Sequence, residues 1–150
     1  MRRSKLWTDD TGSAALEFVT AGVVLLVPLV YLVLTMSAIQ AGAFAAEGAA
    51  RQAARVFVQS DSLADAQASA VRAMQFSLAD YGIDSSTASI EVSCRPNPAS
   101  CLTRQGFVTV SIDLVVPLPL VPAFLTGDFA LEVPLHATAT QQVSRFWTAE

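Results

Sequence analysis

From Phe18 to Ala46 the chain runs for 29 residues without a charged side chain. The centre of that run, Gly22-Val-Val-Leu-Leu-Val-Pro-Leu-Val-Tyr-Leu-Val-Leu-Thr-Met-Ser-Ala-Ile39, is strongly apolar. At 1.5 Å per residue, about 20 such residues cross the roughly 30 Å hydrocarbon core of a bilayer. The competing reading, a buried core helix, fits poorly in a chain of 150 residues. No second segment reaches this length, because Val115–Leu125 is broken by Pro117, Pro119 and Pro122. One membrane span is therefore expected, and a polytopic transporter is excluded. Composition agrees: 15% of residues are charged, against about a quarter in soluble domains, and mean hydropathy is +0.47.

The flanks set an expected orientation. Arg2, Arg3 and Lys5 precede the span, and the positive-inside rule keeps them cytoplasmic. Arg51 and Arg55 weaken the bias but lie farther from the apolar centre. The chain from about Glu47 onward is thus expected outside the cytoplasm, with the protein in the cell membrane as a single-pass component. Cys94 and Cys101 enclose Arg-Pro-Asn-Pro-Ala-Ser, a turn-rich loop. In an oxidising compartment they would form a disulfide; reduced structural thiols are the alternative. A metal site is not expected, since two Cys and the distant His136 fall short of four ligands. Net charge is −4, which argues against nucleic acid as a partner, because backbone binding needs clustered Lys and Arg.

An ordinary secretory signal has an apolar stretch of about 7–15 residues before a small-residue cleavage site. Ala41-Gly42-Ala43 imitates such a site, yet the apolar run is too long, and Glu17 sits at its boundary. The N-terminus reads as a short hydrophilic leader, Met1-Arg-Arg-Ser-Lys-Leu-Trp-Thr-Asp-Asp-Thr-Gly12, followed by Ser13-Ala-Ala-Leu-Glu17-Phe18. Glu17 is the fifth residue after Gly12 and an aromatic, Phe18, is the sixth. This arrangement resembles the class III signal of type IV pilins and pseudopilins. More narrowly, Gly12-Ser-Ala-Ala-Leu-Glu-Phe18, Pro28 within the span and Ala49-Ala-Arg-Gln-Ala-Ala-Arg55 resemble the TadE-like family, the minor pseudopilins of the Tad (Flp) pilus system. The likeness covers residues 12–55 and is only architectural beyond them.

The resemblance implies a prepilin peptidase that cuts between Gly12 and Ser13, and partners among other pseudopilin subunits and the assembly platform. It also implies that Glu17 and Phe18 belong to an assembly and processing motif. A carboxylate at the edge of a bilayer is costly and needs a partner. Cleavage would free the α-amine of Ser13, and a neighbouring subunit's Glu17 carboxylate can pair with that ammonium. Glu17 can otherwise reach the headgroups, or favour the N-terminal end of the helix dipole.

Pro28 lacks an N–H and is expected to kink the span. Ala41-Gly42-Ala43, Ala45-Ala46 and Gly48-Ala49-Ala50 form a small-residue face. Such a face packs on neighbouring subunits or on the protein's own domain. Arg51 and Arg55, four apart, share a helix face as a solvated or headgroup-facing pair. A break is expected over Val56–Ser60. Asp61-Ser62 then offers an N-cap and Gly82 a stop, and Leu63, Ala66, Ala70, Met74, Leu78 and Tyr81 recur at helical spacing. Met74 and Tyr81 read as core residues.

Three alternating segments follow, Thr87–Arg95, Phe107–Val116 and Phe129–Val143. Their apolar faces are Ala88, Ile90, Val92 and Cys94; Val108, Val110, Ile112, Leu114 and Val116; and Phe129, Leu131, Val133, Leu135, Ala137 and Ala139. His136 falls on the opposite face with Glu132, Thr138 and Thr140. A disulfide would staple the first two strands as a long hairpin, and the amphipathic helix would cover the sheet. The expected fold is α+β, a pilin-like lollipop. The expected regions are a leader (1–12), a transmembrane helix with its extension (13–55) and an extracytoplasmic α+β domain (56–150). Pro117–Gly127 reads as an apolar loop that closes the core, dips into headgroups or meets a partner.

Catalysis is not expected, and neither is a cofactor. Serines are plentiful but none lies in a nucleophile-elbow pattern. Asp61 and Asp65 suit the first turn of a helix better than an acid–base pair. The main competitor to the pseudopilin reading is a single-pass anchored envelope protein whose outer domain binds a ligand or partner without assembling.

Overall fold

A computed structural model of the chain describes residues 13–121 and 131–148. The fold is α+β, with a long apolar N-terminal helix and a small antiparallel sheet of three strands. In chain order the elements are α1 (Ser13–Val58), α2 (Leu63–Ala79), a 3-10 turn (Ser85–Thr87), β1 (Ala88–Arg95), β2 (Phe107–Pro117) and β3 (Glu132–Gln142). The chain divides into two compact units, Met1–Met36 and Ser37–Glu150.

Within the first unit, α1 is apolar around its whole circumference. The five consecutive residues Val23, Val24, Leu25, Leu26 and Val27 are all exposed, and at 100° per residue they sweep every direction. A helix with no polar face is suited to a bilayer or to the interior of a large protein. Its most apolar stretch has a mean hydropathy of 2.5 and is nowhere buried, so it is long and apolar enough to cross a membrane. Pro28 lies inside this helix.

In the second unit α1 changes character. Ala45, Ala46, Ala49, Ala50, Ala53, Ala54 and Phe57 are all at most 1% exposed. Their spacing of three and four residues makes one continuous stripe, so the small-residue face packs on the chain's own domain. Glu47 and Arg51 stay outside the stripe as an exposed i,i+4 ion pair of 2.6 Å. The helix runs to Val58, inside the expected break over Val56–Ser60, and closes on hydrogen bonds from Gln59 N to Val56 O and Ser60 N to Phe57 O, both 3.3 Å.

Ser62 caps α2 as its spacing suggested: Asp65 N donates to Ser62 Oγ (3.1 Å), whose hydroxyl donates to Asp65 Oδ2 (2.7 Å). This satisfies one of the first-turn donors that no helix can pair internally. At the other end, bonds from Ile83 N to Leu78 O (3.0 Å) and from Gly82 N to Ala79 O (2.9 Å) form a Schellman motif. Gly82 takes φ +68°, which glycine adopts without strain. Ala66, Ala70, Met74 and Leu78 are buried. Tyr81 departs from expectation: it is 49% exposed, because it lies in the turn that ends the helix rather than on its buried face.

The sheet order is β1-β2-β3, both pairs antiparallel. On the central strand Val108, Val110, Ile112, Leu114 and Val116 are buried and alternate with Thr109, Ser111, Asp113 and Val115. Inward residues pair across strands, Val92 with Val110 and Ile112 with Ala137. β3 carries Pro134, which cannot donate to a ladder and so suits an edge. The alanine stripe, Phe57, the buried residues of α2, the inner face of β2 and Val143 form one hydrophobic cluster. The third strand begins at Glu132, so Leu131 precedes it and is 47% exposed, while Phe129 lies outside the described residues. Of the expected loop Pro117–Gly127, residues 117–121 are described; Leu118 is half-buried and Leu120 is 72% exposed.

The last described residues are tied down. Trp147 Nε1 donates to Ser60 O at 3.0 Å, and Arg104 Nε donates to Trp147 O at 2.8 Å. Trp147, by its indole on one side and its carbonyl on the other, thus links the chain just after α1 to the loop between β1 and β2.

Candidate functional site

The expected cleavage site straddles the edge of what the structure describes. Gly12, Arg2, Arg3 and Lys5 lie outside the described residues. Among the described residues α1 begins at Ser13, the first of them. Glu17 stands four residues later, about one helical turn along. Glu17 is exposed, and its neighbour Phe18 is 80% exposed. Among the described residues no hydrogen bond or ion pair engages Glu17. The next ionisable side chain, other than Tyr31, is Glu47, 30 residues or about 45 Å farther along a helix. Glu17 is therefore a lone carboxylate at one end of an apolar rod, with an unburied aromatic beside it.

The second expected feature is formed. Cys94 and Cys101 are joined by a disulfide, with their Cα atoms 5.1 Å apart. Cys94 ends the inward face of β1 and is 4% exposed; Cys101 lies in the loop that returns to β2. Closing so short a loop stabilises by about 2.5 kcal/mol through the lost entropy of the unfolded chain. The loop is ordered further by Asn97, whose Oδ1 accepts from Ala99 N at 3.1 Å. Gly106 N donates to Thr103 O at 2.9 Å, and Val143 N donates to Gly106 O at 2.8 Å.

His136 has a partner that the sequence reading did not identify. Its Nδ1 lies 2.8 Å from Asp113 Oδ1, across the β2–β3 pair in which these two residues are direct neighbours. Only the strand register reveals this; along β3 alone, Glu132 was the nearest acid. Ser89 pairs with Asp113 from the other side, giving the row Ser89–Asp113–His136 on the open face. In that order the carboxylate, not the imidazole, neighbours the hydroxyl, so His136 is not placed to act as a base for Ser89. Both members of the His136–Asp113 pair are 58% exposed, where such contacts contribute about 0–1 kcal/mol. Among the described residues no group of three or more His, Cys, Asp or Glu side chains is placed to hold a metal ion.

Compared with known proteins, the chain matches no family model, no curated protein and no solved structure.

Proposed function

We propose that the chain is a minor pseudopilin of the TadE-like kind, a structural component in assembly of a Tad (Flp) pilus. In this reading a prepilin peptidase removes residues 1–12 on the cytoplasmic side, and α1 anchors the mature protein in the cell membrane. The disulfide-stapled α+β domain then stands outside the cytoplasm as a pilin-like lollipop, its sheet backed by α2 and the C-terminal part of α1. Glu17 pairs with the Ser13 ammonium of a neighbouring subunit and helps the assembly platform to recognise it.

The observation that carries the reading is Glu17, an exposed carboxylate at the head of a long apolar helix. Glu17 is the fifth residue after Gly12, and among the described residues no hydrogen bond or ion pair engages it. Among the described residues nothing buries the apolar stretch beyond it. A carboxylate at the edge of a membrane is costly, and a pairing partner in assembly offsets that cost.

One observation favours the competing reading of a single-pass anchored protein that does not assemble. The alanine stripe is consumed by the chain's own core, so it is not a face left over for neighbours. The two readings part at the N-terminus. N-terminal sequencing of membrane-extracted protein is expected to begin at Ser13; an intact Met1, or a start near Ala43, rules out the pseudopilin reading.

A further inference from the structure

We infer that the second unit rests on the bilayer surface through an apolar tip formed by Leu118, Leu120 and Leu131. The inference depends on the anchoring part of the reading above and not on pilus assembly. Two contacts place the tip. At one level a Cβ on Gly42 would stand 2.5 Å from Val116 Cγ2 and 2.8 Å from Leu135 Cδ1. At another, Trp147 Nε1 bonds Ser60 O at 3.0 Å, while the Trp147 carbonyl accepts from Arg104 Nε at 2.8 Å, three residues before β2. Residue 116 thus lies beside residue 42, and the beginning of β2 lies toward residue 60. β2 runs antiparallel to this part of α1, so the chain beyond Val116 leads toward the Ser37 end of the unit.

Leu118, Leu120 and Leu131 sit at that end. Leu118 N donates to Leu131 O at 3.1 Å, the next rung after the Pro117–Glu132 pair. Leu120 is 72% exposed, and it is held at φ 59°, where a side chain is disfavoured. Phe44, two residues after Gly42, is also exposed. Gly42 itself lies inside the charge-free run that ends at Ala46, so the level it marks is that of the membrane boundary. Apolar side chains presented at this depth are removed from water by the headgroup and acyl boundary.

The occupant is lipid, not an anionic site. Arg95, Arg104 and Arg145 lie in or beside the segments at the opposite end of the sheet, and the charged residue nearest the tip among those described is Glu132, an acid. The contact therefore depends on apolar burial and is expected to be indifferent to lipid charge and to salt.

The test uses the full-length chain in phosphatidylcholine vesicles, with a fluorophore on a single added thiol and quenching by lipid that carries a nitroxide. Leu120→Cys and Leu131→Cys report the tip, Gln142→Cys the far end of the sheet, and Val33→Cys the span; the native cysteines are closed in their disulfide. Strong quenching is expected at residues 33, 120 and 131, several-fold weaker quenching at 142, and no change with anionic lipid or added salt. Quenching at 33 without quenching at 120 and 131 overturns the inference and leaves the anchor standing. Absence of quenching at 33 overturns both. Equal quenching at 142 overturns a directed contact, and quenching at 120 that requires anionic lipid overturns an apolar one. Labels at 120 and 131 that escape lipid but respond to protein density assign the tip to a second copy, and overturn the inference as well.

Discussion

Gly42 and Val116 approach so closely that a Cβ on the glycine would stand 2.5 Å from Val116 Cγ2. The contact sets how near β2 comes to α1, and it separates this glycine from Gly48, around which a Cβ would meet nothing within 4 Å. Gly42→Ala is expected to lower stability by about 1–3 kcal/mol through overpacking. Gly48→Ala is expected to raise it by about 0.5–1 kcal/mol, because alanine loses less backbone freedom in a helix. Thermal unfolding of the detergent-solubilised chain, followed by near-ultraviolet circular dichroism, compares the two.

Glu17→Ala separates assembly from insertion. Loss of a carboxylate at the membrane edge is expected to leave insertion intact or improve it. If Glu17 pairs with the Ser13 ammonium of a neighbouring subunit, the same change removes a charge-assisted contact in a low-dielectric setting, where such contacts count for more than in water. The variant is expected to reach wild-type abundance in the membrane, to be cut after Gly12 and to fail in piliation. Membrane abundance, pilus counts and partner pull-down are measured together; normal piliation by an abundant variant removes the main physical support for the pseudopilin reading.

The disulfide gives a prediction about both topology and stability. Cys94 and Cys101 are expected to resist alkylation in protein taken from membranes under native conditions, and to react fully after reduction. Reduction, or Cys101→Ser, is expected to lower stability by about 2.5 kcal/mol. Free thiols in the native sample contradict an extracytoplasmic location for this domain.

Asp84 supplies a pH dependence. Its Oδ1 accepts from Ser86 N at 2.8 Å, and this backbone hydrogen bond, with a lesser one from the Ser86 side chain, holds its carboxyl below the usual value of 3.8. The charged form is favoured by folding, so its contribution is fully present above 3.8 and is lost as pH falls through the lower folded value. Because Asp84 is exposed, the effect is expected to be small. Carbon-13 titration of the carboxyl is expected to give a midpoint below that of Asp84 in the unfolded chain. Asp84→Asn is expected to flatten the acid side of the stability profile slightly.

Much of the fold was readable residue by residue. Val108, Val110, Ile112, Leu114 and Val116 alternate with polar neighbours, and a half-buried strand is the structure that puts them on one side. Ser62 and Gly82 marked the two ends of α2 because each solves a local problem of hydrogen bonding or backbone conformation. Local reasoning stopped where the answer depends on another segment. The pairing of His136 with Asp113 follows from the β2–β3 register, set across a loop whose closure leaves no trace in either strand. The small residues from Ala45 to Ala54 suit a neighbouring helix and the chain's own sheet equally well; only the assembled core decides between them. Tyr81 carried helical spacing one turn too far, because periodicity does not register the residue at which a helix stops.

The order in which the core is made adds a consequence for biosynthesis. Ala45 to Phe57 leave the ribosome early, whereas Val143, a member of the same cluster, emerges after residue 142. At about 5–20 residues per second, the stripe waits several seconds for its last cover. Throughout that interval a strip of alanine and one phenylalanine lies open while the segment before it is already committed to its destination. A holdase, or slower synthesis of the final strand, would act on this window, when the nascent domain is most easily lost to aggregation.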